Sequence, residues 1–409
     1  MQHRIIVLGA GYTGAIAAGR LAKRLRREDV TITLVNAEPD FVERVRMHQL
    51  ATGQDLKPRP FSEMFAGTGV QLRLAKVTTI DVDHKTVTVT GTDTNAPTSI
   101  APGSGVEELT YDTLVYALGS GWNTHGVPGA AEHAYEIAGR PGALRLRERL
   151  ARLDAGQTVT VVGGGLTGIE AATEIAETRP DLDIALAAQD GLGDWLSPRG
   201  RAHLRKVFGK LGITTYEHAE VTGVEADHIT TADGRTIPAA VTVWTTGFAV
   251  HPIAQATALE VTGTGQIVVD GTMRSVSHPD VYAIGDAAMV MGPGDKPLRM
   301  SCASGVPTAW QAADTIAARL TGGKLPNAPI RYVNQCISLG RKEGLIQYVT
   351  ADDRAVRAAL TGRLAAVYKE LICKSAAWGV ANPMLGLPTR RRHITREQAA
   401  TGPAVKEPA

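Results

Sequence analysis

The chain has 409 residues, 44% of them hydrophobic and 21% charged, which is enough for two or three globular domains. Its 43 basic and 41 acidic residues nearly cancel, so no overall field favours nucleic acid and we expect none as a partner. No run approaches the roughly 20 apolar residues of a membrane span, and Cys302, Cys336 and Cys373 lack the spacing of a disulfide framework, a zinc site or a redox-active dithiol.

The first predicted elements are a buried parallel strand at residues 5–8, a glycine loop and a helix. The loop has the sequence Gly9-Ala10-Gly11-Tyr12-Thr13-Gly14, and small or apolar residues follow at helical spacing. In such a loop the first glycine permits a tight turn, the second lets backbone N–H groups approach a pyrophosphate, and the third lets the helix pack on the strand. The pattern predicts a dinucleotide site that includes Tyr12 and Thr13.

A second strand is predicted at residues 31–35 and ends at Asn36, where a dinucleotide fold usually places an acid on the ribose. Asn36 can still hydrogen-bond a hydroxyl, and Glu38 is a nearby substitute. Alternating residues at 70–77 and 86–90 then predict an antiparallel meander over about residues 70–110. A buried strand follows and ends at Gly119.

The strand, loop and helix pattern occurs a second time. A strand at residues 158–162 leads into Gly163-Gly164-Gly165-Leu166-Thr167-Gly168, and apolar residues again follow at helical spacing. Two such units predict two dinucleotide sites, and a protein with two sites usually moves electrons between them. The next strand lacks an acid at its tip, at Ala188 or Gln189, which leaves the choice between NADH and NADPH open.

Two later strands end on glycine. The strand at residues 242–248 closes on small residues that include Gly247, as the earlier strand closes on Gly119. We therefore predict that the chain crosses from one sheet to the other at Gly119 and at Gly247. The strand at residues 281–284 ends in Gly285-Asp286, which presents a carboxylate where a polyol hydroxyl could donate to it. The alternative is a Gly-Asp turn in which Asp286 caps the next segment.

The C-terminal part carries an apolar stripe that predicts an amphipathic helix from Val356 through Leu360, Leu364 and Val367 to Leu371, flanked by basic residues. Such a helix could lie on an anionic bilayer. Because the stripe is lean and contains Gly362, we favour packing on the first dinucleotide-binding domain or at a homodimer interface. The polar residues 397–409 are expected to be frayed.

Taken together, Gly9 to Gly14, Tyr111 to Gly119, Gly163 to Glu170 and Pro279 to Asp286 resemble the pyridine-nucleotide-dependent flavoprotein superfamily. Within it, Leu118 to Asn123 and Gly165 to Glu170 are similar to type II NADH:quinone dehydrogenases and apoptosis-inducing-factor-like oxidoreductases. The resemblance implies an α/β fold with two Rossmann-like domains. The FAD-binding domain would be discontinuous, at 1–125 and 250–325, with an NAD(P)H-binding domain inserted at 126–249 and a smaller C-terminal α/β region at 326–409.

The resemblance also implies two cofactors and the residues that bind them. FAD would lie on Gly9, Gly11 and Gly14, with Gly285-Asp286 at the ribityl chain and Val77 near the adenine. NADH or NADPH would lie on Gly163, Gly165, Leu166, Thr167 and Gly168, and would pass hydride to the flavin. Gly119, Gly247, Tyr12, Thr13 and Asn36 complete the predicted cofactor set. We expect no metal.

Two side chains are predicted to act in catalysis. Glu170 matches a glutamate that lies near nicotinamide and flavin in similar enzymes, although Glu170, Glu174 and Glu177 could instead form one solvated helix face. Gln311, with Ala309, matches part of the quinone-site pattern of type II dehydrogenases, where the chain has Val306-Pro307-Thr308-Ala309-Trp310-Gln311. Trp310 could border an acceptor or fill the core.

Three functions remain open on this basis. The first is an NAD(P)H dehydrogenase that reduces a quinone or a quinone-like small molecule. The second is a flavin oxidoreductase of specialised metabolism or a reductase of a small redox protein, and the third is an apoptosis-inducing-factor-like protein whose redox state controls partner binding. Sulfide:quinone and disulfide reductases are disfavoured because the cysteine pair is absent. The expected location is cytoplasmic, or peripheral to the inner face of the membrane.

Overall fold

The computed structural model describes residues 2–91, 105–326 and 328–395, so the predicted frayed tail and part of the predicted meander lie outside the described residues. The elements up to the first crossing are β1 His3–Leu8, α1 Tyr12–Arg24, β2 Val30–Asn36, α2 Met47–Ala51, α3 Phe61–Met64, β3 Val70–Asp81, β4 Thr86–Gly91, β5 Val106–Thr110, β6 Thr113–Tyr116 and β7 Ser120–Trp122.

The next group of elements is α4 Ala130–His133, β8 Ala134–Glu136, α5 Arg140–Ala151, β9 Thr158–Val162, α6 Leu166–Thr178, β10 Asp183–Ala187, α7 Pro198–Lys210, β11 Thr214–Tyr216, β12 Val221–Val224, β13 His228–Thr231, β14 Thr236–Pro238, β15 Val241–Trp244 and β16 Phe248–Val250. The last group is β17 Ile267–Val268, β18 Val281–Ala283, β19 Ala288–Met289, α8 Cys302–Thr321, β20 Asn334–Ser338, β21 Gly344–Val349, β22 Ala355–Thr361 and α9 Arg363–Ala381.

The first sheet has seven strands in the order β18-β6-β1-β2-β3-β4-β5. The strands from β18 to β3 pair in parallel, whereas β3, β4 and β5 pair antiparallel. The long strand β3 joins the two parts, because its first residues pair with β2 and its later residues pair with β4. The apolar run of β1 is buried as predicted, since Ile5, Val7 and Leu8 are all 0% exposed.

The second sheet has five parallel strands in the order β11-β10-β9-β15-β8. Its strands come from residues 134–244, which separate β6 from β18 along the chain. Between the two sheets, β7 and β16 pair antiparallel, with Phe248 opposite Trp122 and Val250 opposite Ser120. Two sets of parallel strands with crossover helices confirm the predicted α/β fold with two Rossmann-like units.

The C-terminal region combines the antiparallel sheet β20-β21-β22 with α9. The predicted helix from Val356 to Leu371 is therefore wrong in its first half, because Val356 and Leu360 lie in strand β22. Gly362 adopts a φ of +80° between the strand and the helix, and the short run before it fits either periodicity.

The outward face of α9 is apolar. Leu364, Val367 and Leu371 are exposed by 72%, 58% and 59%, so this stripe does not pack on the described part of the chain as we had favoured. The opposite face of α9 does pack on the first domain, where Ala377 and Val380 lie in its core. Within the described ranges, no helix is both long enough and apolar enough to cross a membrane.

Candidate functional site

The loop after β1 has the geometry that a pyrophosphate requires. A β-carbon on Gly14 would lie 1.9 Å from the carbonyl oxygen of Gly9, so only glycine lets α1 approach the turn this closely. A β-carbon on Gly11 would meet nothing within 4 Å, which leaves open space above the loop. Helix α1 begins at Tyr12 without a side-chain cap, so its first N–H groups can bind an anion.

Thr13 brings the loop together with two later segments. A β-carbon on Gly285 would lie 2.9 Å from Thr13 Cγ2, and one on Gly305 would lie 3.0 Å from the same atom. The strand tip after β18 and the first turn of α8 therefore both meet the glycine loop. Gly285 N–H donates to Thr308 Oγ1 at 3.0 Å, which fixes the tip on α8. The structure thus assembles the predicted residues Thr13 and Gly285 from opposite ends of the domain.

Asp286 is not a simple capping residue, because its carboxylate lies among side chains from other segments. Its Oδ2 accepts from Ser120 Oγ at 2.6 Å and lies 3.5 Å from Arg44 Nη1. Arg44 also donates to Ser120 Oγ at 3.2 Å, and its guanidinium lies over the Phe248 ring at 4.7 Å. The carboxylate, the hydroxyl and the guanidinium together can bind the polar chain of a dinucleotide.

A surface cavity of about 250 Å³ continues the site along β2 and β3. It is lined by residues that include Ala10, Asn36, Glu38 and Leu74. Asn36 Oδ1 accepts from Ala10 N at 2.9 Å, so Asn36 holds the glycine loop, while Glu38 is the acid that lines the cavity. Val77 does not line this cavity; its side chain is 6% exposed in the core and lies beside a β-bulge of the β3–β4 pair.

Tyr12 provides a further test of whether a dinucleotide fits the first loop. It is 7% exposed, and its ring meets Phe41 edge to face at 4.9 Å between centroids. Its hydroxyl is buried and has no hydrogen-bond partner among the described residues. Burial raises the pKa of this phenol, so it remains a neutral donor. The open space at Gly11 and this orphaned hydroxyl show that the residues present fit a bound dinucleotide.

The second loop repeats the first in its dimensions. A β-carbon on Gly168 would lie 1.9 Å from the carbonyl oxygen of Gly163, one on Gly165 would meet nothing within 4 Å, and α6 begins at Leu166 without a side-chain cap. Thr245, which follows β15, donates from Oγ1 to Val162 O at 2.7 Å and packs against Gly163. The next turn has Gly247 at a φ of +109°.

The strand registers relate the two loops residue by residue. Gly9 N–H donates to Val35 O, and Gly163 N–H donates to Ala187 O, both at 2.8 Å. Ala188 therefore occupies the position of Asn36, and Asp190 occupies the position of Glu38. Gly164 must be glycine beside this residue, because a β-carbon at position 164 would lie 2.8 Å from Ala188 Cβ. The acid that appeared to be missing from the strand tip is present two residues later.

Two of the basic residues of α7, Arg201 and Arg205, have acidic partners. Arg201 lies 3.1 Å from Asp194 Oδ1, and Arg205 pairs with Glu217. Glu217 also accepts from Leu192 N at 2.6 Å, so its carboxylate holds the loop that follows Asp190. These two guanidiniums are already neutralised by carboxylates and offer little to a phosphate.

Glu170 lies in a buried cluster at the junction of three parts of the chain. It is 8% exposed on α6, and its Oε1 lies 2.8 Å from Lys369 Nζ of α9 and accepts from Ser338 N of β20 at 2.9 Å. His48 of α2 lies 3.8 Å from Glu170 Oε2. Lys369 also donates to Cys336 O at 3.1 Å. The alternative of one solvated helix face is wrong, because Glu174 is also fully buried.

The charges in this cluster are set by burial and pairing. Burial alone would raise the pKa of Glu170, but the Lys369 ammonium outweighs it and holds the pKa below the usual range. Burial opposes the charge of Lys369, yet Glu170 raises its pKa, so the pair is charged at neutral pH. Burial lowers the pKa of His48 to about 4, which makes this imidazole neutral.

The second predicted catalytic residue lies elsewhere. Gln311 Nε2 donates to the carbonyl of Gly271, a surface turn of the first domain. Trp310 packs partly buried against the core, and its indole N–H has no hydrogen-bond partner among the described residues. The structure does not bring Gln311 into contact with Glu170 or with the glycine loops, so Gln311 as a catalytic group stays a prediction without geometric support.

Three residues of the site were not predicted. Ser120 directly follows the predicted Gly119 and could have been found from that position. Arg44 and Lys369 had no signal, since each lies far along the chain from its partners Asp286 and Glu170.

A sequence profile of the pyridine nucleotide-disulphide oxidoreductase family matches residues 3–316. The NADH dehydrogenase-like protein YutJ of Bacillus subtilis is 26% identical over 346 residues, which cover 84% of this chain and 92% of that protein. The demethylphylloquinone reductase NdbB of Synechocystis is 26% identical over 388 residues and 90% and 92% of the two chains. The type II NADH:quinone oxidoreductase Ndh of Mycobacterium tuberculosis is 28% identical over 382 residues, 82% of this chain and 76% of that protein.

Among solved structures, NDH2 from Plasmodium falciparum in complex with NADH superposes with a TM-score of 0.77 at 15% identity, covering 94% of this chain and 97% of that one. This likeness concerns the fold. The family match and the relatives confirm the predicted superfamily, the oxidoreductase activity with NAD(P)H, and the two predicted cofactors, FAD and NAD(P)H.

Proposed function

The chain belongs to the pyridine nucleotide-disulphide oxidoreductase family, and from that premise we propose that it is an FAD-dependent NAD(P)H dehydrogenase that passes electrons to a quinone. Relatives named as quinone reductases cover most of its length. The observation that carries the proposal is the buried Glu170–Lys369 pair, at 2.8 Å, where the second dinucleotide unit meets the C-terminal region.

A buried, charged pair of this kind is costly to maintain, because each ion loses its hydration. Packing alone would be served as well by apolar side chains, so such a pair next to a cofactor unit is a candidate for a functional role. A quinone takes up protons as well as electrons when it is reduced. A carboxylate and an ammonium that share a hydrogen bond can position such an acceptor or exchange a proton with it.

The remaining site residues would bind the two cofactors. Gly9, Gly11 and Gly14 would hold the FAD pyrophosphate at the start of α1, with Glu38 at the ribose and Asp286, Ser120 and Arg44 along the ribityl chain. Gly163, Gly165 and Gly168 would hold the nicotinamide dinucleotide at the start of α6. The flavin, when bound, supplies the hydride chemistry, and the protein supplies orientation and excludes water.

Steady-state assays with a panel of acceptors test the function. We expect NADH-dependent turnover with soluble quinones such as menadione or ubiquinone-1 to exceed turnover with cytochrome c or ferredoxin. Faster turnover with a redox protein would identify a redox-protein reductase instead. Slow turnover with every acceptor, together with a long-lived charge-transfer complex, would indicate a redox-responsive binding protein.

We expect the enzyme to prefer NADH, because Asp190 occupies the position that Glu38 occupies at the first site. An acid there hydrogen-bonds the 2′-hydroxyl and repels a 2′-phosphate. Asp190→Ser should raise kcat/KM for NADPH relative to NADH by about tenfold or more, as expected for loss of one charged interaction. Asp194→Asn is the matched control, since Asp194 belongs to the same loop but pairs with Arg201. An unchanged NADPH to NADH ratio in Asp190→Ser would refute this role.

The outward face of α9 would give access to a quinone dissolved in lipid. Leu364, Val367, Leu371 and Trp378 form an exposed apolar stripe on this helix, and Arg363 and Lys374 are exposed beside it. Such a face can insert its apolar side chains between lipids while the basic residues meet anionic headgroups. We therefore infer attachment to the membrane surface, in place of the packing first favoured.

Liposome flotation tests this attachment. The protein should float with vesicles that contain anionic phospholipid, whereas the triple variant Leu364→Ser, Val367→Ser, Leu371→Ser should stay at the bottom, since each buried side chain contributes about 2 kcal/mol. Val106→Ser, at another exposed apolar position, should still float. A wild-type protein that does not float, and a triple variant that changes from dimer to monomer, would make this face a homodimer interface.

A further inference from the structure

A second buried carboxylate lies one helical turn beyond Glu170. Glu174 is 0% exposed, its Oε1 accepts from Gln54 Nε2 at 2.5 Å, and its Oε2 is buried without a hydrogen-bond partner among the described residues. Burying a carboxylate oxygen without a hydrogen-bond partner costs free energy. Either a proton bound to this oxygen or a water molecule beside it would remove that cost.

The carboxylates continue along the same face of α6 to the surface. Glu177 follows Glu174 by three residues, is half-buried, and accepts the backbone N–H of Arg341. Residues at this spacing are neighbours on a helix, with β-carbons roughly 5–6 Å apart. The C-terminal region covers the face, because Gly340 N–H donates to Thr173 Oγ1 at 3.1 Å. Glu170, Glu174 and Glu177 therefore form a row of carboxylates that begins at the buried Glu170–Lys369 pair, lies beneath the C-terminal region and reaches the surface at Glu177.

We propose that Glu174 is the middle group of a proton path along α6, which carries protons from solvent at Glu177 to the Glu170–Lys369 pair. The proposal rests on the proposed function. Hydride transfer from NADH supplies two electrons and one proton, whereas reduction of a quinone to the hydroquinone consumes two electrons and two protons. One proton per turnover must therefore come from solvent, and Glu174 passes it on and is reprotonated from the side of Glu177.

The surroundings of Glu174 suit this role. Burial raises its pKa to about 7, with Glu177 and Glu170 of the same helix adding to the rise and Arg341 and the Gln54 amide opposing it. Both protonation states are therefore populated near neutral pH, as a transfer group requires.

The test is Glu174→Gln in the FAD-loaded enzyme, with two acceptors compared. Ferricyanide takes electrons without protons, so its rate of reduction by NADH should be unchanged. Turnover with menadione should fall about tenfold or more, and Glu174→Asp should retain most of the wild-type rate. Because glutamine removes a buried ionisable group, the variant should be no less stable than the wild type.

A readout independent of turnover is the infrared band of protonated carboxylic acids. The FAD-loaded wild-type enzyme should show such a band that titrates near pH 7 and is absent from Glu174→Gln. Equal loss of ferricyanide and menadione rates, or no loss of either, would overturn the proposal, as would an unaltered infrared titration. If the wild-type enzyme reduces ferricyanide but no quinone, the proposed function fails, and the infrared band still decides whether Glu174 takes up the proton.

Discussion

Replacing Gly14 by alanine is expected to yield protein without bound FAD. The new β-carbon would lie 1.9 Å from Gly9 O, so the loop must open and the start of α1 must move away from the pyrophosphate. The flavin absorbance per chain after purification measures this loss, and turnover with every acceptor should fall with it.

The repeat provides a matched control for this experiment. In Gly168→Ala the new β-carbon meets Gly163 O at the same 1.9 Å, but in the nicotinamide loop. This variant should keep its FAD, resist reduction by NADH, and still be reduced photochemically. A Gly14→Ala protein with a full complement of FAD and normal turnover would contradict the assignment of the first loop.

Replacing Lys369 by methionine should destabilise the protein by about 3–5 kcal/mol at neutral pH, because it leaves the buried Glu170 carboxylate without its cation. The double variant Glu170→Gln, Lys369→Met should recover most of this loss, since it buries no charge. Quinone turnover should remain impaired in both variants. Denaturant unfolding of the single and double variants measures the effect, and full stability of the single variant would contradict it.

The contribution of Glu170 to stability should depend on pH with opposite signs in the wild type and in Lys369→Met. In the wild type the folded pKa of Glu170 is depressed, so its stabilisation is present above the unfolded value and is lost as pH falls through the folded pKa. In Lys369→Met burial remains without the ammonium, so the pKa of Glu170 rises above the unfolded value. The variant should then lose stability as pH rises above the unfolded value. If the free energy of unfolding changed with pH at the same slope in the wild type and in Lys369→Met, the Glu170–Lys369 pair would not control the titration of Glu170.

The glycine loops could be predicted from sequence because their chemistry is local. In each loop, a few consecutive residues determine the turn, the close approach and the start of the helix. The partners of Asp286 and Glu170 could not be found in this way, because Arg44 and Lys369 reach them only after two sheets and the C-terminal region have assembled. Contacts of this kind depend on tertiary packing, which no short spacing encodes.

In two places, residue spacing alone did not determine the structure. The spacing of Glu170, Glu174 and Glu177 places them on one face of α6, but it does not say whether solvent or another segment covers that face; residues 338–341 cover it. At residues 356–361, a short apolar run fits the periodicity of a helix as well as that of a strand. In the structure this segment pairs with β21 and is a strand.

Anaerobic stopped-flow mixing in two steps tests the central claim most directly. Mixing the FAD-loaded enzyme with NADH should bleach the flavin absorbance within the time of one turnover, and a second mix with menadione or ubiquinone-1 should restore it at a rate that accounts for steady-state turnover. If NADH leaves the flavin oxidised, or the reduced enzyme is stable to quinones, the assignment as an NAD(P)H:quinone dehydrogenase is wrong.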